Sequence, residues 1–134
     1  MFSHYFVGIT DFDRAFEFYS PLMACLGIEQ RFCDRGKPWA GWHNKAGDRP
    51  LFVIGRPFNG EAHEAGNGQM IAFLAKSREE VRRAYELSMK NGGISEGEPG
   101  LRTRYHTNYY GAYLRDPDGN KLCVVCHEPE ADDV

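Results

Sequence analysis

No stretch of this sequence approaches the roughly 18 consecutive apolar residues that a membrane-spanning helix needs. An excess of positive charge is missing as well. Sixteen Lys and Arg stand against nineteen Asp and Glu, for a formal net charge of −3. Nucleic acid held by phosphate neutralisation is therefore not expected as a partner, nor is a membrane. The opening "MFSHYFVGIT" has neither the basic region nor the long apolar segment of a signal peptide, so the expected location is cytoplasmic. Cysteine is sparse, at positions 25, 33, 123 and 126, and in that compartment free thiols are the expectation. Cys123 and Cys126 have C-x-x-C spacing, which suggests zinc or redox chemistry. In a strand, however, side chains three apart point to opposite faces, so a shared site is not expected.

Apolar residues make up 42% of the chain, with nine Phe, seven Tyr and two Trp. That suffices for a sizeable core with aromatics left over for a pocket, and 134 residues suit one compact domain or two small modules sharing a core. Residues 2–10 read as a strand. Asp11 or Asp13 caps a helix over about 12–26, with Phe12, Ala15, Phe16, Tyr19, Leu22, Met23 and Leu26 on one 3.6-period face and Gly27 at its end. Short strands follow at about 28–34, 38–43 and 50–55, then the polar connector "RPFNGEAHEAGNG". The pattern then restarts: a strand at 69–75, a capping box of Ser77 and Glu80, and a helix ending at Asn91-Gly92-Gly93. A short strand near 94–97, a loop through Pro99-Gly100 and a hairpin turning on Asp-Pro-Asp-Gly complete it. A shift of 66 positions lays Asp11 on Ser77, Tyr19 on Tyr85, Gly27-Ile28 on Gly93-Ile94 and His4 on Met70. The expected fold is α+β: two βαβββ modules, about 1–58 and 68–128 of a single 1–134 domain, forming a curved eight-stranded mixed sheet with a concave ligand cavity.

This plan, the opening "SHYFVGITDFDRAFEFY" and the closing "YYGAYLRDPDGNKLCVVCH" resemble the vicinal oxygen chelate superfamily. That superfamily includes glyoxalase I, bleomycin and fosfomycin resistance proteins, and extradiol dioxygenases. The resemblance covers nearly the whole chain, and "PGLRTRYHTNYYGAYLRDPDGN" is most similar to a bacterial glyoxalase-like branch. It implies a homodimer and, for an enzyme, metal-assisted lyase, isomerase or dioxygenase chemistry. It also implies metal ligands at a His opening the first strand, an equivalent ligand in the second module and a Glu after the D-P-D-G-N turn, with glyoxalase I adding a Glu on the last strand of module one. Here His4 matches the first position. Met70 stands at the second, Cys123 at the third, and "LFVI" at 51–54 offers no acid. His, Met and Cys form a softer set than a hard divalent cation prefers. No cofactor is expected, with a divalent metal as the alternative.

The candidate residues carry competing readings. His4 reads first as a buried, hydrogen-bonded histidine at the pocket floor, and Met70 as adaptable wall. Cys123 reads as a packed thiol, as a nucleophile activated by His4, or as a metal ligand. "GLRTRYHTNYYG" crowds Arg102, Arg104, Tyr105, His106, Asn108, Tyr109 and Tyr110, a set able to bind an anionic planar molecule, or simply a surface loop tied down by its tyrosines. If Arg115 opposes Asn120, then Tyr110 and Val125 share Cys123's face and join the cavity. Trp39 and Trp42, three apart on a strand, point to opposite faces. Glu61, His63 and Glu64 read as a solvated loop, and the acidic tail "HEPEADDV" as frayed. Two functions follow: a glyoxalase-like protein of unassigned substrate binding a small anionic or aromatic molecule, or a metal-free protein that sequesters one.

Overall fold

The structure, a computed structural model, describes residues 1–130. The last four residues of the tail read as frayed lie outside the described residues. The chain runs β1 (His4–Gly8), α1 (Phe12–Cys25), β2 (Ile28–Asp34), β3 (Trp39–Asn44), β4 (Leu51–Gly55), β5 (Ile71–Leu74), α2 (Arg78–Lys90), β6 (Ile94–Leu101), β7 (Tyr110–Arg115) and β8 (Lys121–Cys126). Local chemistry sets these boundaries. Asp11 accepts the Arg14 amide at 3.2 Å and starts α1, and Gly27 at φ +70° turns the chain out of it. Ser77 accepts the Glu80 amide at 3.1 Å, while the Glu80 carboxylate reaches back to the Lys76 amide at 3.3 Å, closing a box one residue earlier than the usual pattern. The stretch expected to loop through Pro99-Gly100 belongs to β6. It is an edge strand with two register shifts, where a residue without an amide hydrogen is tolerated.

Each module folds into its own four-stranded mixed sheet, in the orders β1-β4-β3-β2 and β5-β8-β7-β6, with one parallel pair apiece. The α+β architecture of two βαβββ modules is as the repeat suggested, but the eight strands are divided between two sheets. α1 packs on β2 and β3, α2 packs on β6, β7 and β8, and the two helices lie against each other. The helix-side residues of both sheets join in one core, where the Phe52 and Phe73 rings meet edge to face with centroids 5.0 Å apart. The sheets thus back onto shared helices, and their other faces turn outward, away from one another. Pooling two inner faces makes a core larger than either small module would have alone.

The D-P-D-G-N turn clasps the modules together. Asp116, 1% exposed, accepts the Asp118 and Asn120 amides on Oδ1, each at 2.9 Å. On Oδ2 it accepts the Tyr19 hydroxyl at 2.5 Å and Asn120 Nδ2 at 2.8 Å. Asn120 Nδ2 also donates to Gly8 O at 3.0 Å, and Asp118 holds the Thr10 amide and Arg14, both at 3.0 Å. The connector also takes part. His63 Nε2 lies 2.7 Å from Asn120 Oδ1 and its ring covers Gly8, so the segment read as a solvated loop is anchored at this residue.

Candidate functional site

The β7–β8 hairpin determines which side chains share the outward face of the second sheet. Its turn pairs Arg115 with Lys121, one residue off the expected register, so Tyr113 opposes Cys123 and Tyr110 opposes Cys126. Slipping by one residue exchanges the faces. Tyr110 is therefore corrected out of the cavity set: it packs on the helix side, under the guanidinium groups of Arg78 and Arg82, with its hydroxyl accepting from Arg82 at 3.1 Å. Tyr113 and Lys121 take its place beside Cys123 and Val125, with Ala72 and Leu74 of β5 on the same face.

The segment 102–109 folds back over this face, held by the Arg102 amide donating to Tyr109 O at 2.8 Å. Tyr109 lies over Gly111, and its hydroxyl is 2.9 Å from the Tyr113 hydroxyl and 3.6 Å from Cys123 Sγ. The Tyr105 ring packs on Tyr109 with centroids 4.7 Å apart, and Arg104 reaches the Tyr105 hydroxyl at 3.4 Å. Arg102 donates to the carbonyls of Glu98 and Gly100, each at 2.7 Å, and holds its guanidinium 5.5 Å from the Tyr113 ring centroid. Lys121 Nζ lies 5.8 Å from the same centroid. Three phenols and a thiol are thus ringed by three cations. Glu96, on the neighbouring β6, is tied to Arg115 at 2.7 Å.

Burial dominates the ionisation of this cluster. It pushes up the Cys123 thiol, which the Tyr109 and Tyr113 hydrogen bonds and the charges of Arg102 and Lys121 only partly offset. Burial first, then the Tyr113 and Cys123 contacts, push the Tyr109 phenol up, and burial does the same to Tyr113. Tyr105 is shifted down, by the Arg104 hydrogen bond and then its charge. A neutral, shielded thiol does not suit nucleophilic attack.

His4 is exposed at the start of β1, with Nδ1 2.9 Å from Ser3 Oγ, not buried at a pocket floor. It stands on the outward face of the first sheet, whereas Cys123 stands on that of the second. Within one chain the two do not meet, and the shared hollow expected of them is not formed. Met70, 43% exposed, precedes β5. The outward positions of β4 are Leu51, Val53 and Gly55, and Ala72 lies opposite Cys123. Within a chain, a lone exposed imidazole, a thioether and a shielded neutral thiol do not fit the family's divalent metal, and among the described residues no three His, Cys, Asp or Glu gather as potential ligands.

The first sheet's outward face is aromatic. Phe6, Phe32 and Trp39 lie there, Phe32 against Trp39 with centroids 4.7 Å apart, while Trp42 turns to α1 beside Phe16. Sequence reasoning missed this face. Its signal was glycine at outward positions 8, 41 and 55, each covered by a ring, those of His63, Phe32 and Phe6.

Comparison with known proteins agrees with this architecture. The family model of the Glyoxalase/Bleomycin resistance protein/Dioxygenase superfamily matches residues 1–124. A glyoxalase/bleomycin resistance protein from Albidiferax ferrireducens T118 is 35% identical, with a TM-score of 0.79 over 96% of this chain and 99% of that one. A glyoxalase-related enzyme from Fulvimarina pelagi is 16% identical, with a TM-score of 0.70 over 94% and 87% of the two chains. A glyoxalase/bleomycin resistance protein/dioxygenase family enzyme from Burkholderia phytofirmans PsJN is 17% identical, with a TM-score of 0.68 over 94% and 98%. These last two similarities bear on the fold alone. No curated protein matches the chain.

Proposed function

The chain belongs to the glyoxalase/bleomycin resistance protein/dioxygenase superfamily, and from that premise we propose that it binds a small anionic or aromatic molecule without the family's usual metal ligand set. The observation that carries this reading is the Tyr109–Tyr113–Cys123 cluster ringed by Arg102, Arg104 and Lys121. Phenol hydroxyls and cationic side chains on a sheet face suit a carboxylate or phenolate with a ring attached. The donor set argues in the same direction, because one imidazole does not anchor a divalent ion. Sequestration of a compound is favoured over a thiol-dependent reaction by the shielded state of Cys123.

The working form is a homodimer. β1 and β5 are edge strands, and large apolar side chains stand exposed along them: Phe2, Tyr5 and Phe6 on one, Met70 and Leu74 on the other. Such edges invite pairing with a second copy. Joining β1 of one chain to β5 of its partner would continue one sheet into the other and turn their outward faces, His4 on one and Cys123 on the other, toward one hollow. The test is a calorimetric screen of small carboxylates and phenols, with elemental analysis of the purified protein. Binding weakened about tenfold by Arg102→Ala and by Tyr113→Ala is expected. Tightly bound transition metal near one per chain, or affinities indifferent to both substitutions, would overturn the reading.

A further inference from the structure

The outward face of the first sheet carries a second feature that the cluster around Cys123 does not explain. Aromatic rings close over its glycines. Gly41 is covered by Phe32, whose ring occupies the space a Cβ would fill, and Gly55 by Phe6, with the Trp39 backbone-proximal carbon also in contact. Glycine lets a ring approach the sheet itself. The result is an aromatic surface set close to the sheet backbone, with Phe32 and Trp39 tilted against each other. It is not sealed: Phe6 is 47% exposed, Trp39 38%, and Phe58, rising from the connector, is fully exposed. Phe6, Trp39 and Phe58 border an open recess of about 580 Å³ with Gly8, Arg56 and His63. Arg56 is the cation of that recess, and it forms no ion pair among the described residues.

We propose that this recess is a stacking site for a planar aromatic anion, its rings laid against Trp39 and Phe6 under Phe58 and its acidic group on Arg56. The inference goes beyond the binding reading given above, naming a ligand class and a set of contacts of its own. A planar ring gains from packing on exposed aromatic side chains, and the Arg56 guanidinium beside them selects for negative charge and a planar acid. A saturated acid would lose the stacking. A neutral aromatic would lose the charge.

The experiment uses 2-naphthoate, with 2-naphthylmethanol and cyclohexanecarboxylate as controls, titrated against the full chain by calorimetry and by tryptophan fluorescence. Trp42 is buried and Trp39 exposed, so quenching reports on the recess. Naphthoate is expected to bind and to quench, with each control weaker by about tenfold. Trp39→Ala should weaken naphthoate by about tenfold. Arg56→Gln should remove the preference for naphthoate over the alcohol while leaving the alcohol's affinity unchanged. No binding of naphthoate at millimolar concentration, or binding unchanged in both variants, overturns the proposal. Loss of binding in Arg102→Ala with none in Trp39→Ala or Arg56→Gln sinks the recess and leaves the phenol cluster's reading standing. The reverse pattern keeps the recess and removes the cluster. If Phe58→Ala changes the sedimenting mass and not the naphthoate affinity, the face belongs to a contact between copies and the proposal falls.

Discussion

Cys123 shows how one side chain's meaning depends on the atoms around it. Its position after the hairpin turn was compatible with wall, nucleophile or ligand, and only the overlying Tyr109 hydroxyl and the complete burial of the sulfur separate these roles. Burial holds the thiol above its ordinary value, so it stays neutral at physiological pH. Alkylation followed by mass spectrometry near neutral pH should therefore modify the half-buried Cys33 well before Cys123. Early labelling of Cys123 would restore the nucleophile reading. Gly41 makes a second residue-scale prediction. Gly41→Ala forces Phe32 off the sheet, and overpacking of this kind should cost about 1–3 kcal/mol in urea unfolding.

At the scale of elements, the D-P-D-G-N turn is a clasp as well as a hairpin. Asp116 gathers two amides, the Asn120 side chain and the Tyr19 hydroxyl from α1. Asp116→Ala would strand buried donors from both modules and should cost about 3–5 kcal/mol, whereas Tyr19→Phe, which removes one bond, should cost about 1–3 kcal/mol. Equal losses in the two variants would show that the turn is not the hub. Ser77→Ala, by comparison, touches one helix end and should cost about 1 kcal/mol. The helices were readable from sequence because a cap, a 3.6-residue apolar period and a terminal glycine are local signals. The hairpin register was not. A five-residue turn shifts pairing by one position relative to a naive count, and that single step moves Tyr110 to the helices and Tyr113 to the outward face.

For the molecule as a whole, pH and association are the informative variables. The folded state raises the pKa of Cys123, Tyr109 and Tyr113, chiefly through burial, and so keeps them neutral to higher pH. A raised value means that the stabilisation is fully present below the unfolded-state values, about 8.5 for a thiol and 10 for a phenol, and is lost as pH climbs through the folded ones. Denaturant midpoints should hold from neutral to mildly alkaline pH and then fall, and Tyr113→Phe should lessen that fall. Association is tested at the free sheet edges. Sedimentation equilibrium should give twice the 15.2 kDa chain mass, and Leu74→Lys, which places a charge on the β5 edge, should return it to one chain mass with its circular dichroism unchanged. A wild-type chain that sediments as a monomer would remove the second copy from the site.

Sequence alone determined the elements and their repetition: the caps at Asp11 and Ser77, the glycines ending each helix, the paired βαβββ plan and the absence of any apolar run long enough for a membrane helix. These features are written in contacts a few residues apart. Tertiary structure decided the rest. It divided the strands into two sheets sharing one core, set His4 and Cys123 on faces that look away from each other, and paved the first sheet with rings resting on Gly8, Gly41 and Gly55. Which face of a strand looks outward, and what lies over it, depends on partners distant in sequence, and no local pattern encodes their arrival.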